Sequence, residues 1–217
     1  MRFTDFIKGV WRGPCLTHFA EDFENDSKNI YLTFDDGPDP RSTEGVLKVL
    51  DQFKARASFF VITQKAKDHL SLIREIKSAS HGIGDHSLDH RYRHFFQGRR
   101  ALLKWIAAST ETLNAMLGER NIGFRPPAGI RTPELHWALA KLNIPLIYWK
   151  VRFFDAVFPW SLSRAEASLK RTFSGDIILL HDAQPQKRVS GFLQTLSFYL
   201  EQAMGMGFKF QSIRSSV

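Results

Sequence analysis

Cysteine is nearly missing from this chain. The single thiol, Cys15, excludes an internal disulfide and any metal site built from several cysteines. No cluster of histidines or cations surrounds it, so it reads as a buried or incidental thiol. No run approaches the roughly 20 apolar residues of a membrane-spanning helix. The opening stretch, MRFTDFIKGVWRGP, carries Asp5, Lys8 and Arg12 and therefore lacks the uncharged segment that an export signal needs. The expected location is the cytoplasm, or the inner face of the cytoplasmic membrane. Repeats, low-complexity tracts and Gly/Ser linkers are also missing, and 217 residues suit a single domain.

What is present is ordinary globular material: 43% hydrophobic and 24% charged residues, with 19 Phe for an aromatic-rich core. The net charge of +8 favours anionic partners such as phosphate-bearing substrates, lipid headgroups or nucleic acid. From Arg91 to Thr110 there are five basic residues (Arg91, Arg93, Arg99, Arg100, Lys104) and no acid, with Phe95, Phe96 and Trp105 interleaved. This stretch reads first as a solvated helix face over a buried stripe, and second as a patch for lipid phosphate; a nucleic acid is not expected as a partner.

Short apolar or β-branched runs alternate with longer stretches of helical period, the pattern of an α/β fold with a mostly parallel sheet. Strands are expected at 30–34, 57–62, 82–85, 122–125, 145–149, 177–180 and 208–213, and helices at 42–53, 65–78, 99–117, 133–142, 163–172 and 191–206. Seven short strands with helices between them predict a barrel. In such folds chemistry gathers at the C-terminal ends of the strands. Asp35 and Asp36 follow the first expected strand, His86 and His90 the third, Arg125 the fourth and His181 the sixth, while Asp155 lies beyond the fifth.

In GDHSLDH, His86 and His90 can converge on one ion from a helix face or a tight loop, provided that a third ligand exists. Asp36 supplies one from the same rim. Two nitrogens and a carboxylate leave positions open for water and substrate, which suits Zn2+ and also Co2+, Ni2+ or Fe2+. A cation on Asp36 would relieve its repulsion with Asp35, freeing Asp35 to act as a general base. His181 could donate a proton to the leaving group, Asp155 could hold its tautomer, and Arg125 could pair with Asp35. Each residue also has a plain structural reading: DDGPD as turn chemistry, Arg125 as a surface arginine, His181 as a satisfied core histidine, Asp155 as a loop acid. Asp85, Asp89 and Asp182 adjoin these positions as partners for histidines or as solvated acids.

The motifs TFDDGP (Thr33 to Pro38), HSLDH (His86 to His90), RPPAG (Arg125 to Gly129) and LLHD (Leu179 to Asp182), in this order, resemble the polysaccharide deacetylase family, the NodB-homology domain of carbohydrate esterase family four. The resemblance implies a distorted (β/α) barrel of seven or eight mostly parallel strands and a metal-dependent hydrolase that removes N-acetyl groups from an amino sugar of a glycan or lipid-linked precursor. It implies Asp35 as base, Asp36, His86 and His90 as metal ligands, Arg125 as the residue positioning the base, and His181 as acid with Asp155 behind it. Pro126, Ala128, Trp149 and Leu179 are expected on the substrate side, with Leu179 shaping the pocket for the acetyl methyl and the Ala128 N–H holding an oxyanion. Two departures stand out: Ala128 occupies a position where an aromatic is commoner, and Asp155 is followed by Ala156 rather than Trp. His94 continues the four-residue spacing and competes as a ligand. Residues 1–28 are expected to be an extension packed on a catalytic domain spanning 29–217, with a possible membrane contact. Hydrolysis of another amide, such as a formyl group, and carbohydrate binding without turnover are the rival readings.

Overall fold

The computed structural model describes residues 15–19 and 28–214; the rest of the expected extension, residues 1–14 and 20–27, lies outside the described residues. Six strands, β1 (Lys28–Asp35), β2 (Ala57–Val61), β3 (Gly82–Asp85), β4 (Val151–Arg152), β5 (Ile177–His181) and β6 (Phe208–Phe210), form one sheet in which every pairing is parallel. The order is β3-β2-β1-β5-β4, with β6 added beside the start of β1. Seven helices cover it: α1 (Thr43–Gln52), α2 (Thr63–Asp68), α3 (Leu70–Ser78), α4 (Arg99–Leu117), α5 (Pro133–Leu142), α6 (Leu162–Leu169) and α7 (Val189–Gly205).

Two expected strands are reduced to isolated bridges. Phe124 pairs with Asp85 on one side and Leu146 on the other, and neither 122–125 nor 145–149 forms a ladder. The chain here is constrained by Gly123 at φ +140, pressed against the Pro145 carbonyl, and by Pro126 and Pro127, which have no N–H to donate. The segment entering β4 nevertheless bonds to β5, from Lys150 N–H to the Ile177 carbonyl (2.9 Å), so the pairings run in a ring from β1 through β3, Phe124 and residues 146–152 back to β5. That ring is the distorted barrel. The expected helix at 65–78 is two helices broken at His69, whose φ of −130° leaves the helical range.

Period-two alternation sorts the strand side chains. Ile30, Leu32 and Phe34 of β1, with Ile178 and Leu180 of β5, face the helices and join α1 and α7 in the main core. Their neighbours face inward, where Phe60, Ile122, Ile147, Ile177 and Ile213 fill the barrel floor. A third cluster packs α4 and α5 over Phe124 and Leu146. Local signals fix several helix ends: Thr132 accepts the Leu135 N–H and Pro133 opens α5, while Gly118 in the left-handed conformation (φ +70°) ends α4.

Candidate active site

Above the floor, the inward face turns polar at the C-terminal ends of β1, β3 and β5. Thr33 and Asp35 lie two residues apart on one face of β1, and Asp35 sits in register with His181 of β5. Asp36 follows at φ +75°, a left-handed conformation that Asp tolerates better than most residues, and this turns its carboxylate toward the loop after β3. The following Gly37 is required sterically, because a Cβ there would collide with the Asp182 carboxylate. The His86 to His90 loop is not helical; Ser87 and His90 also have positive φ (+77° and +57°), and the loop brings both imidazoles onto Asp36.

Asp36, His86 and His90 form a group whose ligand atoms lie within 4.8 Å of one another. Asp36 Oδ1 stands 3.3 Å from His86 Nε2 and 3.1 Å from His90 Nε2, yet it is buried with no properly oriented hydrogen bond. The tautomer of His86 explains why. Its Nδ1 is 2.8 Å from the Arg125 carbonyl, which can only accept, so Nδ1 carries the hydrogen and the neutral ring turns a lone pair at Nε2 toward Asp36. Two acceptors face each other, and a proton or a cation must lie between them. Burial opposes a charged His86, but Asp35 and Asp36 outweigh it and push its pKa up; burial likewise raises the Asp36 carboxyl, and the two imidazoles override it and hold it well below the usual carboxylate range. The donor set thus fits a divalent cation of the kind that imidazole and carboxylate bind.

Asp35 is buried and divided between two partners. Arg125 Nη1 donates to its Oδ1 at 2.8 Å, and its Oδ2 lies 3.8 Å from His86 Nε2. Arg125 is fully buried and donates also to Thr33 Oγ1 (2.7 Å) and the Tyr148 carbonyl (2.8 Å), with its guanidinium 3.9 Å from the centre of the Phe60 ring. Burial lowers its pKa against the opposing pull of Asp35. Across the rim, Asp155 accepts from the His181 backbone N–H (2.7 Å) and meets His181 Nδ1 at 3.0 Å, and Gln184 Nε2 supports Asp155 from behind. Burial disfavours a charged His181, yet the Asp155 bond, reinforced by Asp35 and Asp36, pushes its pKa up to about 9.

All seven polar residues singled out in the sequence therefore meet on one rim. Trp149 stacks on Tyr148 (4.0 Å between centroids) against Gly129, and its ring centre is 5.7 Å from the Arg125 guanidinium. Leu179 is buried on the same strand face as His181, Pro126 is buried beneath the loop, and Ala128 is exposed at φ +52°. His94 lies elsewhere, stacked on Trp105 at 4.6 Å with Nε2 3.6 Å from Asp89, and is not a member of the Asp36 group. The neighbouring acids brace the scaffold. Asp85 accepts from Ser109, Thr110 and the Ser87 N–H; Asp182 accepts from Thr43; Asp89 accepts from Trp105. Burial raises the pKa of Asp85 to about 6 and of Asp182 to about 7, against the hydroxyl bonds that pull them down. Sequence reasoning missed Lys65, whose Nζ donates to the Asp36 carbonyl at 2.8 Å, together with Thr33 and Gln184.

Comparison with known proteins finds the family that the motifs resemble. The family model for polysaccharide deacetylases matches residues 23–147. A peptidoglycan-N-acetylglucosamine deacetylase of Bacillus cereus is 27% identical over 201 residues, covering 87% of this chain and 88% of the relative. A chitooligosaccharide deacetylase of Sinorhizobium fredii is 32% identical over 158 residues, covering 72% and 73%. Among solved structures, a family 4 carbohydrate esterase from Streptomyces lividans in complex with acetate superposes with a TM-score of 0.76 at 26% identity, over 86% of this chain and 93% of that one.

Proposed function

The chain belongs to the polysaccharide deacetylase family, and from that premise we propose that it hydrolyses the N-acetyl group of an amino sugar in a glycan, using a divalent cation bound by Asp36, His86 and His90. The observation that carries this reading is the division of Asp35: one oxygen is fixed by a buried arginine, and the other is turned toward the Asp36–His86–His90 group. A carboxylate held in this way is built to take a proton beside a cation. The acetate complex of the S. lividans esterase and the names of the bacterial deacetylases support an acetyl group on N-acetylglucosamine.

The cation supplies Lewis-acid polarisation of the amide carbonyl and acidifies water. The chain does the rest. Asp35 accepts the proton of the attacking water, and Arg125 holds it in place from the opposite side of the barrel. The Ala128 N–H, which makes no backbone hydrogen bond among the described residues, is the donor offered to the developing oxyanion. His181, oriented through Nδ1 by Asp155, has Nε2 left to protonate the departing sugar amine. Its raised pKa favours that role. Leu179 and Trp149 supply apolar surface for the methyl and the sugar. Zinc suits the ligands best; cobalt, nickel and iron accept the same set.

The test is acetate release from a short N-acetylglucosamine oligomer by protein stripped of metal and then refilled with zinc or cobalt. Release that returns with metal and is lost in Asp35→Asn is the expected result. Deformylation without deacetylation would move the reading to another amide, and tight glycan binding with no product would leave a binding protein.

A further inference from the structure

Among the described residues nine large apolar side chains are exposed, and six of them, Tyr92, Phe96, Phe154, Val157, Phe158 and Leu162, sit on two segments that leave the catalytic rim. Four fall within residues 153–162, the segment that carries Asp155 and runs into the start of α6. Its inward residues, Phe153, Asp155 and Trp160, are buried; its outward ones are presented to solvent, with Val157 at 61% and Phe158 at 59% exposure. Phe154 reaches this outward position through a left-handed backbone (φ +58°), a conformation that is an outlier for a bulky residue and costs free energy. Packing does not explain strain that turns a phenylalanine toward water.

Three arginines touch the same loop. The Arg152 guanidinium lies 4.0 Å from the centre of the Phe154 ring, Arg164 donates to the Pro159 carbonyl and Arg188 to the Val157 carbonyl, both at 3.1 Å. None of the three has a carboxylate partner among the described residues, and Lys187 adds an exposed cation beside Arg188. The only acid within the loop, Asp155, is buried against His181.

We propose that the 152–164 loop is a membrane-surface anchor that inserts Phe154, Val157 and Phe158 into an anionic bilayer while Arg152, Arg164 and Arg188 pair with lipid phosphate. Apolar tips ringed by unpaired cations match the boundary between acyl chains and headgroups. A sugar-stacking platform fits less well, because Arg152 occupies one face of the Phe154 ring and Val157 and Leu162 have no face to stack. A second copy fits less well too, because a two-fold contact would set like-charged arginine rims against each other. Tyr92 and Phe96, followed by the exposed Arg99 and Arg100, give the segment after His90 a second apolar and cationic surface. Taken with the deacetylation proposed above, on which this last step rests, the anchor brings the catalytic rim to an amino sugar borne on a lipid carrier.

The experiment is flotation of the full chain with phosphatidylcholine vesicles containing 0 to roughly 40 mol % phosphatidylglycerol, at low and high salt, with acetate release from the soluble oligomer measured in parallel. Binding should rise with phosphatidylglycerol, weaken in high salt, fall about tenfold or more in V157S/F158S and fall about fivefold in R152Q, with soluble activity unchanged in V157S/F158S. Flotation by wild-type protein that fails to appear, that ignores lipid charge, or that persists undiminished in V157S/F158S would overturn the anchor. So would a wild-type dimer that dissociates in this variant without any vesicle binding. Should V157S/F158S lose soluble activity, Phe158→Ser alone replaces it and is held to the same outcomes. Vesicle binding without acetate release would leave the anchor standing and count against the proposed reaction alone.

Discussion

The two faces of the same strands differ more than any two strands do. On β1, Ile30, Leu32 and Phe34 point outward, fully buried among apolar residues, while Thr33 and Asp35 point inward and meet Arg125. On β5, Ile178 and Leu180 point outward and Leu179 and His181 inward. The outer face is continuous packing, in which one apolar side chain can replace another of similar volume. The inner face is a polar network around Asp35 and Arg125, so removal of a bonded member leaves a buried group unpaired. Stability therefore resides mostly on the outer face and chemistry on the inner, and substitutions should separate them.

The sharpest separation is expected at the ligands. Asp36→Asn or His86→Ala should abolish acetate release, because each removes a lone pair from the group that would hold the cation; residual turnover near wild type would refute their assignment. His181→Ala should follow with a loss of about 10²- to 10⁴-fold in kcat, the range for removal of a positioned acid, and little change in melting temperature. Arg125→Ala should fail in both respects, since deleting one partner of a buried pair costs about 3–5 kcal/mol and also frees Asp35 to move; thermal unfolding together with kcat would reveal the double effect. On the outer face, Leu32→Ala should cost about 2–5 kcal/mol in chemical denaturation with kcat per folded molecule unchanged. A loss of kcat there would mean that the two faces are not separable.

The smallest effect is a shift along the pH axis. His181 must be protonated to donate, so activity should fall as pH rises through its pKa. Asp155 raises that pKa. Asp155→Asn should therefore move the alkaline limb of kcat/KM to lower pH, and an unmoved limb would assign it to another group.

The site was more legible in the sequence than the barrel that carries it. Asp35 and His181 end strands, and Asp36, His86 and His90 follow strand ends closely, so a linear pattern placed them on one rim before any pairing was known. Strand boundaries fared worse where backbone chemistry intervened. Gly123 and the Pro126–Pro127 pair reduce an apparent strand to isolated bridges at Phe124, and β4 is only two residues long and followed by no periodic pattern. The break at His69 carries neither Gly nor Pro to announce it. The sequence left Asp85, Asp89 and Asp182 open between partners for histidines and solvated acids, because the side chains that bond to them, Ser109, Thr110, Trp105 and Thr43, come from helices whose rotation about the sheet no local pattern encodes. Lys65 was invisible for the same reason: its contact with the Asp36 carbonyl depends on how α2 follows β2.

The account rests on a cation held between Asp36, His86 and His90, and cobalt binding tests that most directly. Metal-free protein titrated with Co2+ should take up one equivalent per chain with the visible absorption of a bound ion, retain this in Asp35→Asn, and lose it in Asp36→Asn and His86→Ala. Equal uptake by wild type and Asp36→Asn would contradict the account.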